Sequence, residues 1–152
     1  IESALQSALL LMHPQLTRHH IQLHTTYDPH AIYVWADLVW LEQIIVNLLS
    51  NAIDATDGQK KREIHIRTYQ QDSLTAIEVR DNGHGIAETD IAHIFEAFFT
   101  TKSLGNGLGL GLSISYRLAK DMQGNLVISP HSGQGAVFTL TLPTIVQDTP
   151  SP

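Results

Sequence analysis

Residues 37 to 56 read DLVWLEQIIVNLLSNAIDAT. Leu38, Leu41, Ile45, Leu48, Leu49 and Ile53 recur at intervals of three and four, so they form a broad apolar stripe on an α-helix, and Asp37 stands where an N-cap side chain accepts from the first free amides. Asn47, Asn51 and Asp54 follow the same spacing and sit together on one helical face beside that stripe. Asparagine is a poor helix former, and two in one turn are costly without a use.

Working outward, Leu5, Ala8, Leu9 and Met12 predict a first helix whose end Pro14 leaves open. HIQLHTTYD (20–28) alternates as a half-buried strand, and AIYVWA (31–36) reads as a short second strand after the Asp28-Pro29 turn. Beyond the turn DGQKKR, the strands EIHIRTYQ (63–70) and LTAIEVRD (74–81) join at Gln71-Asp72-Ser73 as a hairpin. A short helix is expected near 88–95, an irregular stretch over 96–107, and a helix from Leu108 to Met122 that Gly124 terminates. NLVISP (125–130) and GAVFTLTLP (135–143) predict two final strands. Hairpins interleaved with helices make the class α+β: a two-layer α/β sandwich, a mixed, mostly antiparallel sheet covered by helices on one face. The domain is expected to span 1–143, with the polar, proline-rich 144–152 a disordered tail.

Composition bounds the partners. With 152 residues and 43% hydrophobic content, the chain suits one domain, whole or cut from something longer, and a chain of this length buries roughly 70% of its unfolded surface. There is no cysteine, so no disulfide is available. A net charge of -6 and the absence of a Lys/Arg-rich block argue against nucleic acid. No apolar run approaches the roughly 20 residues of a membrane helix, so no membrane contact is expected. The chain starts at Ile1 without a signal-peptide pattern and reads as a fragment.

Three short stretches carry chemistry. Gly105, Gly107, Gly109 and Gly111 alternate before an apolar helix. The run fits neither a Walker A loop, which needs Gly-Lys-Ser/Thr, nor a G-x-G-x-x-G fingerprint after a strand. Glycines entering a helix still let backbone amides approach a phosphate at the positive end of the helix; a hinge or a tightly packed helix is the plainer alternative. DNGHGI (81–86) follows a predicted strand, where Asp81 can accept from an exocyclic amine while Gly83 and Gly85 leave room for a flat ligand; a plain turn is the alternative. On the helix, one asparagine oxygen suffices for magnesium, which keeps waters and bridges substrate phosphates; a solvated polar face is the alternative.

Together and in this order, these stretches resemble the catalytic domains of histidine kinases. LEQIIVNLLSNAIDA is similar to their N box, DNGHGI to the first glycine box, FEAFF (95–99) to the F box and GNGLGLGLSIS (105–115) to the second glycine box. The resemblance covers almost the whole chain and implies the Bergerat sandwich shared with gyrase, a mismatch-repair ATPase and a heat-shock chaperone. The wording FFTTK and GLGLGLSIS looks most like the dicarboxylate-sensing and nitrogen-regulatory branches. It implies ATP and Mg²⁺ as cofactors, with Asn51 the magnesium ligand, Asn47 hydrogen-bonding near the phosphates, Asp54 lining the pocket and Asp81 binding the adenine amine. Gly105, Gly107, Gly109 and Gly111 would cradle the phosphates as a lid moves, and Lys102 would approach the terminal phosphate. Asn47 and Lys102 are thus the candidate catalytic pair. Ile86, Phe99, Thr100, Thr101, Leu108, Leu110 and Leu112 would complete the lining, with Thr139 a neighbour from the last strand. Phe95, Phe98 and Phe99 would anchor the lid.

Hydrolytic relatives carry a glutamate four residues before the metal asparagine; here that residue is Asn47, which cannot act as a general base, so transfer to an external nucleophile is the better reading. None of the nine histidines has the His-Glu/Asp-Leu-Arg/Lys context of the family's phosphoacceptor. The resemblance therefore implies a separate dimerisation domain as acceptor, a response regulator downstream, a homodimeric full-length protein, and the cytoplasmic portion of an inner-membrane sensor. A nucleotide-binding regulatory module, or an anti-sigma-type serine kinase, is the alternative.

Overall fold

Alternating residues 62–81 build the centre of the sheet. In the computed structural model, which describes residues 1–31, 33–101, 108–130 and 135–145, β2 (Arg62–Gln71) and β3 (Leu74–Asp81) pair antiparallel, with Ile64 opposite Asp81 and Gln71 opposite Leu74. Asp72 turns the hairpin at φ 54, a left-handed conformation that aspartate tolerates better than most residues. β1 (Ile21–Thr26) lies parallel to β2, while β4 (Asn125–Pro130) and β5 (Ala136–Pro143) extend the sheet antiparallel in the order β1-β2-β3-β5-β4. The expected mixed, mostly antiparallel sheet is the one observed.

The deciding helix is α2 (Leu38–Ala55), the crossover between the parallel strands. Asp37 Oδ1 accepts from the amides of Val39 (2.9 Å) and Trp40 (3.0 Å), the expected N-cap. Leu41, Ile44, Ile45, Leu48, Leu49, Ala52 and Ile53 are buried; each fully buried large aliphatic among them contributes about 1.5–3 kcal/mol of transfer energy. Leu38, expected in the stripe, is exposed in the first turn. α2 packs on α1 (Glu2–Arg18) and on α4 (Gly111–Asp121), all against the apolar face of the sheet formed by Ile64, Ile66, Ile77, Val79, Phe138 and Leu140. The other face carries exposed His65, Arg67 and Arg80.

Several expectations change at the boundaries. Pro14 does not stop α1, which runs to Arg18 with Pro14 on its exposed side. Among the described residues of 31–36 there is no strand; Val34 bridges Thr144, and Trp35 N–H donates to Pro143 O at 3.2 Å. The short helix α3 covers only Glu88–Ile91. α4 begins at Gly111 rather than Leu108, because Gly109 takes φ +68 and cannot belong to a right-handed helix. Past its end, Gln123 (φ 60) takes the left-handed position expected of Gly124, whose amide donates to Ala119 O at 2.8 Å. Thr144 and Ile145 are tied in, their amides donating to Ser73 O (2.9 Å) and Tyr33 O (3.0 Å); 146–152 lies outside the described residues. Among the described residues no helix is long and apolar enough to cross a membrane.

Candidate functional site

A cleft of about 860 Å³ opens between α2, the end of β3 and the start of α4. Asn47, Asn51 and Asp54 reach it from α2, Gly85 and Ile86 from the turn after β3, and Phe99, Thr100 and Thr101 from the segment behind α3. Leu108, Gly109, Leu110, Gly111 and Leu112 close the far side. Sequence separations of more than 60 residues are thus brought to one cavity. Lys102, Gly105 and Gly107 lie outside the described residues.

Asp81 closes β3 and is 3% exposed. Its Oδ1 accepts from Gly83 N–H at 2.8 Å and from Ala136 N–H at 3.4 Å. Burial pushes its carboxyl above the usual aspartate value, and those two amides only partly hold it down. With Oδ1 committed to backbone, Oδ2 is the oxygen left for a donor in the cleft. Gly83 supports rather than lines the cleft: a Cβ there would meet Ala55 O at 2.1 Å, so the turn is pressed against the end of α2.

Asn47 lines the cleft and also has a partner on α4. Its Nδ2 donates to Ser115 Oγ on α4 at 2.9 Å, and Ser115 is 1% exposed. A Cβ on Gly111 would lie 2.2 Å from Asn47 Oδ1. The amide therefore ties α2 to the start of α4. Removing Asn47 leaves the buried Ser115 hydroxyl without that partner, which costs about 1–3 kcal/mol, and removing Ser115 costs less because Asn47 is only part-buried in the cleft wall. Asn47→Ala and Ser115→Ala are each expected to lower stability in urea unfolding, with a coupling of about 1 kcal/mol in the double-mutant cycle; strictly additive losses would show that the pair does not act as one.

Asn51, one turn further, has the opposite character. Its Nδ2 is buried with no hydrogen-bond partner among the described residues. That N–H donor suits an anionic acceptor such as a phosphate oxygen, while the other atom of the same amide, Oδ1, is the hard oxygen that suits magnesium, which takes few protein ligands beside phosphates and water. Among the described residues no set of three His, Cys, Asp or Glu competes as a metal cage.

The F box and the second glycine box meet at their inner ends. Phe98 takes φ 67, and its amide donates to Gly109 O at 2.9 Å. A Cβ on Gly109 would lie 2.6 Å from Phe99 O. Phe95 packs on Tyr116 with ring centroids 4.9 Å apart, and Phe99 also packs against the core, whereas Phe98 is 73% exposed. Only Phe98 therefore faces outward.

Thr139 is not brought to the site. Along β5 the buried residues are Ala136, Phe138, Leu140 and Leu142, so Thr139 points to the opposite face of the sheet. The apolar alternation in VFTLTL already carried that signal. Ala136 and Phe138 line the cleft instead, as do Ser50, Ala55, Ile94 and a polar group at its outer end, His19, Asp57, Arg62 and His84. His19 and Arg62 had no local signal, since they arrive from the end of α1 and the start of β2.

Against known proteins, the model of the histidine kinase-, DNA gyrase B- and HSP90-like ATPases matches residues 36–145. The two-component sensor PprA of Pseudomonas aeruginosa is 36% identical over 146 residues, 93% of this chain and 16% of that protein. The chain spans about a quarter or less of the length of the curated relatives it matches. Among solved structures, the nucleotide-free catalytic domain of the histidine kinase ThkA superposes with a TM-score of 0.83 at 28% identity, over 95% of this chain and 92% of that one. Full-length ShkA in complex with AMPPNP gives 0.83 at 30% identity, over 99% of this chain and 31% of that one.

Proposed function

The chain belongs to the histidine kinase-, DNA gyrase B- and HSP90-like ATPases, and on that premise we propose that it is the ATP-binding catalytic domain of a sensor histidine kinase. One observation carries the proposal: a buried carboxylate, Asp81, faces the same cleft as a glycine-opened helix start and as Asn51, whose amide nitrogen has no partner among the described residues. The AMPPNP complex of ShkA, a structure alike in fold, supports the nucleotide.

In this reading Asp81 Oδ2 accepts from the adenine amine while Gly83 and Ala136 hold its other oxygen still. The free amides at the start of α4 and the backbone of Gly109 face the phosphates, where the positive end of the helix favours negative charge. Lys102, Gly105 and Gly107 belong to the same loop in the proposal. Asn51 would hold Mg²⁺, which supplies charge neutralisation across the phosphates. Asn47 serves by fixing α4 against α2. It offers no general base, so the nucleophile and any base come from a partner. The proposed partner is the protein's own dimerisation domain bearing a phosphoacceptor histidine. A response regulator follows it, and the full-length protein is a homodimer with this domain on the cytoplasmic side of the inner membrane.

With Mg²⁺ and γ-labelled ATP, the chain and that dimerisation domain are expected to yield label that acid releases and base does not, as a phosphohistidine does. Label recovered only as free phosphate would make the chain a hydrolase, and label stable to acid would make it a serine kinase.

A further inference from the structure

Two stretches that nucleotide binding leaves largely unused, HHIQ (19–22) and QKKR (59–62), meet in space. A second cavity of about 420 Å³ lies between the C-terminal end of α1, the entry to β1 and the turn into β2. Arg18 and His19 line it from α1, His20 and Gln22 from the β1 side, and Gln59 through Arg62 from the turn. Every one of these side chains carries an N–H donor, and none is a carboxylate. Arg18, Lys60, Lys61 and Arg62 are four of only nine Lys and Arg in a chain of net charge -6.

The cations are poorly neutralised by the protein itself. Among the described residues, Arg18, Lys60 and Lys61 form no ion pair. Arg62 pairs with Asp57 at 3.4 Å, but the Asp57 side chain is 84% exposed, so that pair is strongly screened. The Arg62 guanidinium is held in place by donation to Ile53 O (2.7 Å) and Thr56 Oγ1 (3.2 Å). Its Nη1 also lies 3.4 Å from His19 Nδ1. A guanidinium only donates, so His19 Nδ1 is the acceptor and its Nε2–H remains a donor. The guanidinium, largely buried, is thus pre-set, and Lys60 and Lys61 line the same cavity as exposed side chains.

We propose that this cavity binds a compact, multiply charged oxyanion: a phosphorylated small molecule. Arg and Lys donors converging without a competing carboxylate suit phosphate oxygens. Concavity and the negative charge of the rest of the chain select a compact anion over an extended one, because a long acidic peptide or nucleic acid would meet repulsion beyond the cavity. His19 and Arg62 also line the larger cleft, so the two cavities adjoin, while Arg18, Lys60 and Lys61 line this one and not the other.

Inorganic triphosphate, titrated calorimetrically at fixed ionic strength into the chain saturated with AMPPNP, is expected to bind at one site per chain. Lys60→Gln/Lys61→Gln changes two exposed side chains of a turn, so the thermal midpoint should hold while affinity falls about tenfold or more. Without AMPPNP a further site, at the larger cleft, is expected to appear. Triphosphate binding that AMPPNP abolishes, with the lysine variant unchanged, would put the triphosphate at the glycine loop and overturn the proposal. So would millimolar triphosphate that does not bind, or tighter binding of a decaglutamate peptide or a DNA duplex.

Discussion

Asp81→Asn is expected to weaken adenine-nucleotide binding about a hundredfold while leaving the fold at least as stable. Asparagine can keep Oδ1 on the amides of Gly83 and Ala136, 2.8 and 3.4 Å away in the parent. Its Nδ2 then replaces Oδ2 and faces the exocyclic amine donor to donor. Leaving such buried groups unpaired costs about 2–3 kcal/mol, which is the hundredfold. Stability moves the other way. Burial raises the folded-state value of Asp81 above 3.8, so the folded protein holds that proton more tightly than the unfolded chain. Stability associated with this group is present below the unfolded value and is lost as pH rises from there through the folded value. Asparagine removes that loss. Calorimetry with ATP and urea unfolding at pH 7 would check both halves; unchanged affinity would remove Asp81 from the adenine subsite, and a large drop in stability would make it a structural carboxylate.

Asn51→Ala is the second large effect. Magnesium-dependent phosphoryl transfer should fall at least about a hundredfold, because the hard oxygen ligand and with it the charge neutralisation at the phosphates are lost. Folding should not suffer, since the variant deletes a buried Nδ2 that has no partner among the described residues. Nucleotide affinity without magnesium should stay near that of the parent. Undiminished transfer would show that the metal is held elsewhere. The contrast with Asn47, one turn away, makes the test sharp: Asn47 is bonded to Ser115, so its removal destabilises the protein, whereas Asn51 has stability to gain.

The helix, the hairpin and the four boxes were legible because each is written in a local period or a short ordered string. Asp37 as N-cap, the buried stripe of α2 and the hairpin of β2 with β3 all follow from neighbours within a few residues. Errors fell where a local pattern was too short to outweigh its surroundings. Residues 31–36 alternate like a strand, yet among the described ones only Val34 bridges, and the glycine run looked helical from Leu108 although Gly109 is left-handed. Thr139 as a pocket neighbour follows from the resemblance alone, and the parity of its strand puts it on the other face.

By itself, then, the sequence determined which segments fold as which elements and which side chains are chemically able to bind a nucleotide, because periodicity and residue type are local properties. Only the tertiary structure decided what those side chains touch. The packing of α4 on α2 put Ser115 against Asn47 across 68 residues and left Asn51 Nδ2 without a partner among the described residues. The end of α1, meeting the turn into β2, gathered cations from residues 18 and 60–62 into one cavity. Such meetings are set by the sum of all packing in the domain, and no single stretch of chain encodes them.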